Sequence, residues 1–299
     1  MNTNAFLENF KDIPFIFEAE LSLYTTYRVG GVAEVLALPE TEAQIEQLAD
    51  FCKSKKLPFR VLGLGSNILV SDLGLPGVTC CLRNFKGVEV DGQKVTALSG
   101  TALDEVVRES INSGLAGLEN LSGIPGSVGG AVFMNAGAFK AETFDKLASF
   151  IVLNPKGEIK EFKKEDVKYE YRKVWGIEGC IILSATWVLD KQDKEILKTK
   201  REEILQSRKA KQPLEYPSAG SVFKRPVGAY ASKLIDDCGL RGLSVGGAQV
   251  STKHAGFIIN YQNATAQDIY NLIKEVQKIV KEKTGFKLEP EQIFWGEFK

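Results

Sequence analysis

Residues 123–137, GIPGSVGGAVFMNAG, constrain the fold of this chain more than any other stretch. They contain five glycines and one proline and no charged residue, a composition that disfavours regular helices and strands. Glycine lacks a Cβ and tolerates positive φ, so closely spaced glycines let main-chain N–H groups converge on an anion or pack against a flat ring. The stretch therefore predicts an irregular loop that binds a phosphate-bearing ligand.

Residues 60–72, RVLGLGSNILVSD, form another glycine loop, where an apolar, strand-like run ends. In chain order residues 60–72 are the first glycine loop and residues 123–137 the second. Gly63 and Gly65 suggest the start of a Rossmann fingerprint, but Ile68 occupies the position of the third glycine, and the residues after it read as strand. The lysine of a P-loop is also missing from this loop. Either loop alone fits a tight turn as well as a cofactor site. Together they predict one long ligand.

The rest of the chain reads as mixed helix and strand. Residues 34–39 and 57–62 read as strands on either side of a helix whose capping box is Thr41 with Gln44. A second helix is predicted over residues 101–113, with Thr101 as its N-cap and Gly114 as its stop.

Later segments follow the same mixed pattern. Alternating apolar residues from 150 to 189 predict strands, with a hairpin turn at residues 155–157. A charged, solvated helix is predicted over residues 191–211, and it marks a domain boundary. The last predicted helix spans residues 265–283, with Thr265 as its N-cap and Gly285 as its C-terminal stop.

Composition excludes several function classes. The chain has 299 residues, and its 38 basic and 38 acidic side chains cancel, which argues against nucleic-acid binding. His254 is the only histidine, so a His-based metal site or a Ser-His-Asp triad is excluded, and no metal is expected. The five cysteines are odd in number and lack C-x-x-C spacing, which indicates reduced thiols. Residues 1–20 read as neither a signal peptide nor a membrane anchor, so a cytoplasmic protein without membrane contact is expected.

The order of motifs along the chain resembles a known enzyme family. VLGLGSNILVSD is followed by GLENLSGIPGSVGGAVFMNAGAF, then by YEYRKV, PSAGSVFK and a terminal LEPEQIFWG. These five segments in this order resemble the UDP-N-acetylenolpyruvoylglucosamine reductases, flavoenzymes of peptidoglycan precursor synthesis, over residues 22–297. The short distance from PSAGSVFK to the end of the sequence resembles the branch that lacks a tyrosine-clamp insertion.

The resemblance implies an α+β protein with an FAD-binding fold of the vanillyl-alcohol-oxidase type and a C-terminal α+β substrate domain. Residues 1–80 and 81–204 would be the two FAD-enclosing subdomains, and residues 205–299 would bind the substrate. The cofactors implied are non-covalent FAD and NADPH as hydride donor, with a nucleotide sugar as the substrate. A monomer or weak homo-oligomer is expected.

Three residues carry the catalytic roles that the resemblance implies. Ser221 in AGSVF matches the family's proton donor, although alone it reads as a hydroxyl that caps the local backbone. Arg172 in YEYR matches an arginine that faces the substrate carboxylate, although alone it reads as a surface residue. Glu291 in LEPEQ matches a catalytic glutamate; alone it reads as a strand-edge carboxylate, and Glu289 is the rival assignment.

The remaining expected contacts fall into two groups. Residues expected to bind the cofactor are Arg28, Gly63, Gly65, Ser66, Asn67, Pro125, Gly126, Ser127, Gly129, Gly130, Ala131 and Asn135. Residues expected to bind the substrate are Lys211, Lys224, Arg225 and His254. Arg225 stands where many relatives carry asparagine, Lys211 fits the end of the charged helix equally well, and His254 fits a structural role. Another FAD-linked oxidoreductase of this fold and an inactive nucleotide-sugar binding protein are the competing interpretations.

Overall fold

The structure, a computed structural model, describes residue 6 and residues 10–299. Residues 1–5 and 7–9 lie outside the described residues. They belong to the segment 1–20, which is predicted to be neither a signal peptide nor a membrane anchor. The α-helices with described bounds are α1 Glu42–Ser54, α2 Leu103–Asn112, α3 Val128–Phe133, α4 Lys194–Lys211, α5 Ala231–Asp237 and α6 Ala266–Thr284.

The strands follow in chain order. They are β1 Phe15–Glu20, β2 Val32–Ala37, β3 Phe59–Leu62, β4 Ile68–Val70, β5 Leu75–Cys81, β6 Val88–Asp91, β7 Lys94–Leu98, β8 Leu115–Ala116, β9 Gly137–Ala138, β10 Ala141–Glu142, β11 Leu147–Leu153, β12 Ile159–Lys163, β13 Tyr169–Glu170, β14 Lys173–Val174, β15 Ile181–Val188, β16 Asp190–Lys191, β17 Ser244–Val245, β18 Ala248–Val250, β19 Ile258–Asn260 and β20 Ile293–Trp295. Helices and strands are thus mixed along the chain, as the α+β prediction requires.

The backbone divides into two compact units. Unit 1 comprises Met1–Phe17, Val35–Leu64 and Gly77–Gln206, and unit 2 comprises Glu18–Glu34, Gly65–Pro76 and Ser207–Lys299. The first glycine loop is split between them, because Gly63 belongs to unit 1 and Gly65 to unit 2. The division predicted at residues 80 and 204 stays a prediction.

Unit 1 contains an antiparallel sheet with the order β12-β11-β15-β7-β6. Its largest core joins β7, β11 and β15 to the apolar face of α2, with Trp187 fully buried among them. The hairpin predicted at residues 155–157 is confirmed, because β11 and β12 pair from Ser149↔Lys163 to Leu153↔Ile159. The parallel pairing of β3 with β5, from Phe59↔Val78 to Leu62↔Cys81, also lies in unit 1 and belongs to a sheet with the order β1-β2-β5-β3.

Unit 2 is built on α6, which packs on the antiparallel sheet β17-β18-β19 and on α5. Apolar residues recur along one face of α6 and are buried in the core of this unit: Ile269, Leu272, Ile273, Val276 and Val280. A second pairing in this unit is parallel and joins β20, near the end of the sequence, to β4. It places the LEPEQIFWG segment beside residues 68–70 of the first glycine loop.

Local sequence signals predicted several helix ends correctly. The capping box at α1 is present, since Thr41 Oγ1 accepts from the N–H of Gln44 at 3.3 Å and the Gln44 side chain accepts from the N–H of Thr41 at 3.2 Å. Thr265 caps α6, which ends at Gly285 in the left-handed conformation with φ 76°. The charged helix is confirmed as α4.

Two predictions of local structure are wrong. Thr101 does not cap α2, whose N-cap is Ala102, because the Thr101 hydroxyl bonds to the N–H and the carbonyl of Gly87 at 2.9 and 3.1 Å. Residues 123–137 are not wholly irregular, because Val128–Phe133 forms the short helix α3. Its apolar side chains Val128, Ala131 and Val132 are buried, and this tertiary packing outweighs the poor helix propensity of the two glycines.

All five cysteines lie among the described residues and are free thiols, as expected. Burial raises the pKa of the Cys52 thiol to about 12, which keeps it protonated at neutral pH. In the part of the chain that the structure describes, none of the helices has the length and apolarity needed to cross a membrane.

Candidate active site

The second glycine loop is fixed in unit 1 by its own main-chain amides. Ser127 caps α3 by accepting from the N–H of Gly130 at 3.3 Å, while the N–H groups of Val128 and Gly129 donate to the carbonyls of Thr101 and Ser99, both at 2.8 Å. These three amides are therefore used within the protein. At this point of the loop the glycines serve close packing, since a Cβ at Gly129 would lie 3.0 Å from the Cβ of Ser99.

The two glycine loops meet inside unit 1 at Gly63 and Ser127. A Cβ on Gly63 would lie 2.2 Å from Ser127 Oγ, so any larger residue would force the Ser127 hydroxyl to move. Beside them, Ser99 is fully buried, and its hydroxyl has no hydrogen-bond partner among the described residues. A buried hydroxyl without a partner is costly unless a ligand completes it. An unsatisfied hydroxyl beside Gly129 fits a polar cofactor such as FAD, and Ser99 is a candidate contact that no sequence motif marks.

One carboxylate of unit 1 holds the start of the second glycine loop, and another holds the chain just before it. Asp104 on α2 accepts from the N–H of Gly123 at 2.6 Å and from both terminal nitrogens of Arg201 at 2.7 Å. Glu119 accepts from the N–H of Gly117 at 2.6 Å and pairs with Lys200 at 2.7 Å. Burial opposes ionisation of both carboxyls, but these hydrogen bonds outweigh it and lower the pKa of each below its usual value.

Arg172 lies in unit 1 with its guanidinium held by two carbonyls. It donates to the carbonyl of Asn135 at 3.2 Å and to that of Gly137 at 2.7 Å, and it stacks 4.7 Å from the centre of the Tyr171 ring. Asn135 and Arg172 both adopt positive φ, 40° and 58°. Such backbone conformations cost energy for non-glycine residues and cluster at functional sites.

Asn135 is fully buried, and its side chain bonds within the protein. Its amide nitrogen donates to Glu142 at 2.7 Å and to the carbonyl of Glu170 at 3.2 Å, and its amide oxygen accepts from the N–H of Phe144 at 3.2 Å. The structure thus ties Asn135, expected at the cofactor, to the loop that carries Arg172.

Ser221 lies in unit 2 on an extended segment between two others. On one side Ser221 bridges Phe257, and on the other side the next residues pair with the LEPEQ segment through a bridge between Phe223 and Pro290. The N–H of Glu291 donates to the carbonyl of Val222 at 2.8 Å. The structure therefore brings the segments of Ser221 and Glu291 together, and the Ser221 side of this pairing is exposed to solvent.

The two candidate glutamates have different surroundings. Glu289 is 71% exposed and forms an ion pair with Lys224 at 2.5 Å. Glu291 is half-buried, and its carbonyl accepts from the Asn67 side chain at 3.3 Å. The same Asn67 accepts from the N–H of Ile293 through its own carbonyl at 3.0 Å. Asn67 thus fixes the Glu291 segment from the first glycine loop.

Gly65 and Arg28 also lie in unit 2. A Cβ on Gly65, which has φ 68°, would lie 2.2 Å from the carbonyl oxygen of Tyr24, so this position requires glycine. Arg28 is exposed with φ 56°, close along the chain to Thr26, whose N–H donates to the Gly65 carbonyl at 3.1 Å. Asp72 ends the same loop and accepts from the first two amides of α6, both at 2.9 Å.

The residues expected at the substrate are spread over unit 2. His254 is half-buried and accepts from the N–H of Gly256 at Nδ1, so its proton sits on Nε2, and burial lowers its pKa. Arg225 stacks 4.7 Å from the centre of the Tyr230 ring. Lys211 is the exposed last residue of α4, and Lys224 is engaged by Glu289.

Two family models match this chain. One, described as an FAD binding domain, covers residues 33–163, and the other, described as the UDP-N-acetylenolpyruvoylglucosamine reductase C-terminal domain, covers residues 212–295. They confirm the predicted fold class of an FAD-binding part followed by a C-terminal domain.

Relatives match over nearly the whole chain. The UDP-N-acetylenolpyruvoylglucosamine reductase of Enterococcus faecalis is 43% identical over 298 residues, 99% of each chain, and that of Clostridium novyi is 44% identical over 275 residues, covering 92% of this chain and 90% of the relative. The crystal structure of the Thermus caldophilus enzyme superposes with a TM-score of 0.81 at 35% identity, covering 95% of this chain and 99% of that one. Because these relatives match nearly the whole chain in sequence and in fold, the chain belongs to the UDP-N-acetylenolpyruvoylglucosamine reductase family.

Proposed function

We propose that this protein reduces UDP-N-acetylglucosamine enolpyruvate to UDP-N-acetylmuramate in peptidoglycan precursor synthesis, with FAD as its cofactor and NADPH as the hydride donor. The family match over nearly the whole chain supports the reaction. The observation that carries the residue roles is the pairing of the Ser221 and Glu291 segments in unit 2. A metal has no part in this proposal.

Each catalytic residue has a role that its chemistry fits. FAD, when bound and reduced by NADPH, would supply the hydride that adds to the enolpyruvyl double bond. Arg172 stabilises the negative charge that develops on the substrate carboxylate. The carbonyls of Asn135 and Gly137 hold its guanidinium in a fixed orientation. Ser221 delivers the proton to the neighbouring carbon. Glu291 orients the enol ether end of the substrate, whereas Glu289 is engaged by Lys224.

The cofactor is held by the glycine loops. In unit 1 we assign the buried Ser99 hydroxyl to a hydrogen bond with FAD, and Gly63, Ser127, Gly129 and Gly130 to packing against it, since the Gly129 and Gly130 amides are already bonded within the protein. We also assign Gly65, Ser66, Asn67 and Arg28 to contacts with FAD. Pro125, Gly126 and Ala131 complete the proposed set, and Asn135 acts through Arg172.

The nucleotide sugar is bound by unit 2. Arg225 offers a guanidinium for phosphate, and the Nε2–H of His254 offers one hydrogen-bond donor. Lys224 and Lys211 add positive charge. We also propose a cytoplasmic enzyme that is a monomer or weak homo-oligomer, which light scattering on the purified protein tests directly. The three-part division at residues 80 and 204 is retained as a proposal.

The Ser221→Ala variant tests the proton donor. Under anaerobic conditions, NADPH should reduce its flavin at the rate of the wild type, because Ser221 takes no part in that half-reaction. Reoxidation by UDP-N-acetylglucosamine enolpyruvate should slow by about 10²- to 10⁴-fold, the usual contribution of a positioned proton donor. Ser218→Ala is the matched control, a serine removed three residues away, and both of its half-reactions should match the wild type.

Three outcomes would overturn parts of the proposal. Normal reoxidation in Ser221→Ala would remove the proton-donor assignment. A wild-type flavin that is reduced by NADPH but never reoxidised by the nucleotide sugar would mean that the enzyme acts on another substrate. A protein that binds the nucleotide sugar without any flavin chemistry would be an inactive binding protein.

A further inference from the structure

A buried, neutral hydrogen-bond network lies in unit 2 around Gln292. Gln292 is 4% exposed, and Tyr27 is fully buried beside it. The Tyr27 hydroxyl donates to Gln292 Oε1 at 3.1 Å, and Gln292 Nε2 donates to the carbonyl of Ala219 at 3.1 Å. One amide thus links three chain segments that are far apart in sequence.

Each linked segment carries a residue of the proposed site. Tyr27 directly precedes Arg28, Ala219 lies two residues before Ser221, and Gln292 directly follows Glu291. Glu291 itself pairs through its N–H with the carbonyl of Val222, on the far side of Ser221. The turn that presents Ser221 is therefore tied on both sides to the segment that presents Glu291.

A second link runs between two of the same segments. The side chain of Asn260 donates to the carbonyl of Tyr27 at 3.1 Å, and the N–H of Asn260 donates to the carbonyl of Pro217 at 2.9 Å. The Pro217 and Ala219 carbonyls are thus both held, which leaves little freedom for the turn before Ser221.

The chemistry of the network fixes the orientation of the Gln292 amide. The Ala219 carbonyl can only accept, so the amide nitrogen faces it, and the amide oxygen then accepts from the Tyr27 hydroxyl. Burial raises the pKa of Tyr27 and keeps this phenol a donor at any ordinary pH. A substitution that removes one partner leaves the other buried without a hydrogen bond, which is costly and shifts the local backbone.

We infer that Gln292 is a positioning residue that sets the Ser221 turn against Glu291, so that its amide controls protonation of the substrate without touching it. The inference rests on the proposed roles of Ser221 and Glu291. It assigns no role to Gln292 in the NADPH half-reaction. Substitution of a residue that only stabilised unit 2 would change the rates of both half-reactions alike.

Gln292→Met tests the inference, because methionine keeps the length of the side chain and removes both hydrogen bonds. Gln277→Met is the matched control, since Gln277 Nε2 donates to the carbonyl of Leu288 at 2.8 Å in the same unit. Both half-reactions are measured on the FAD-loaded variants by anaerobic stopped-flow absorbance, well below their unfolding midpoints. We expect Gln292→Met to slow flavin reoxidation by the nucleotide sugar about 10- to 100-fold, with its NADPH half-reaction within twofold of wild type.

Tyr27→Phe is the milder variant, because it removes one hydroxyl and preserves the ring. We expect it to slow reoxidation about 3- to 10-fold and to leave flavin reduction by NADPH unchanged. In the Tyr27→Phe/Gln292→Met double variant the effects should not multiply, because both changes break one network. Tyr27→Phe decides the question if Gln292→Met does not fold.

Ser221→Ala separates the two possible failures. If Ser221→Ala reoxidises normally, the proposed proton donor is wrong, and the inference about Gln292 falls with it. If Ser221→Ala stalls while Gln292→Met matches Gln277→Met in reoxidation, the proposed function stands and the inference is overturned. Equal slowing of both half-reactions in Gln292→Met would also overturn it, since that result would mean a general structural role.

Discussion

The two units support their functional residues with different chemistry. In unit 1 the second glycine loop depends on charged groups, Asp104 with Arg201 and Glu119 with Lys200, and all four side chains keep some exposure to solvent. In unit 2 the Ser221 turn depends on neutral groups, Tyr27 and Gln292, which are almost completely buried.

This difference predicts how each region responds to its surroundings. Partly exposed ion pairs are weakened by salt and lose their strength when the carboxylate is protonated. Buried neutral hydrogen bonds depend on neither salt nor acid. Removing one partner, however, leaves the other buried without a hydrogen bond, which is costly. The second glycine loop of unit 1 should therefore be sensitive to salt and acid. The Ser221 turn of unit 2 should instead be sensitive to substitutions that remove a single hydrogen-bonding group.

The largest expected effect concerns Arg172, the charged residue of unit 1 to which we assign a catalytic role. In Arg172→Lys a single ammonium cannot hold the carbonyls of both Asn135 and Gly137 and still face the substrate carboxylate. We expect flavin reoxidation by the nucleotide sugar to slow about 10²- to 10³-fold, with NADPH reduction little changed. Lys173→Arg, the opposite exchange one residue later, is the control and should behave as wild type. Slowing of less than about threefold in Arg172→Lys would contradict the assignment.

A comparison of two glycines sharpens the difference between the units. A methyl group at Gly65 would meet the backbone carbonyl of Tyr24 in a left-handed conformation, whereas one at Gly63 would meet the Ser127 hydroxyl, which can rotate away. We expect Gly65→Ala to lower the free energy of unfolding by about 3 kcal/mol. Gly63→Ala should cost only about 1 kcal/mol, the value of the Ser127 cap.

Urea unfolding measures both costs. Adding Ser127→Ala to Gly63→Ala removes the hydroxyl that the methyl group meets, so the double variant should be no less stable than Gly63→Ala. A larger loss of stability for Gly63→Ala than for Gly65→Ala would show that the two contacts were ranked wrongly.

The ion pair of Asp104 and Arg201 tests the charged side directly. Arg201→Met leaves Asp104 half-buried without its cation and frees the start of the second glycine loop. We expect about a tenfold weaker affinity for FAD, measured by flavin fluorescence quenching, and a smaller difference from wild type at high salt. Glu195→Gln is the control, because it breaks an exposed pair with Lys198 at 2.7 Å on the same helix. Equal affinities in the two variants would contradict a link between this pair and the cofactor.

The smallest expected effect is a pH dependence. The folded protein lowers the pKa of Asp104 and Glu119, so below about pH 4 to 5 the unfolded chain binds more protons and the free energy of unfolding falls. Above that range the contribution of both carboxylates is fully present. In Arg201→Met the decline attributable to Asp104 should be shallower, as measured by urea unfolding at a series of pH values. A steeper decline would contradict the sign of this coupling.

Sequence analysis predicted features that depend on neighbouring residues. The caps at Thr41 and Thr265, the stop at Gly285 and the hairpin at residues 155–157 are local, so their chemistry is visible in a short window. Thr101 was misassigned because its hydroxyl is taken by Gly87, a partner 14 positions away that no local rule anticipates.

The sequence predicts the candidate site only where its residues belong to recognisable motifs. The glycine loops and the AGSVF and LEPEQ segments are motifs at which we propose that ligands bind. Ser99 belongs to no motif, and only its burial without a hydrogen-bond partner draws attention to it. The network of Tyr27, Ala219 and Gln292 joins residues up to 265 positions apart. Such contacts follow from tertiary packing, which periodicity and spacing do not encode.

The most direct test of the central claim is the visible absorption spectrum of the purified protein under anaerobic conditions. NADPH should bleach an oxidised flavin spectrum, and UDP-N-acetylglucosamine enolpyruvate should then restore it. Both changes together would establish the cofactor, the donor and the acceptor in one sample. A bleached flavin that the nucleotide sugar fails to reoxidise would contradict the proposed substrate, and a colourless protein that takes up no added FAD would contradict the account as a whole.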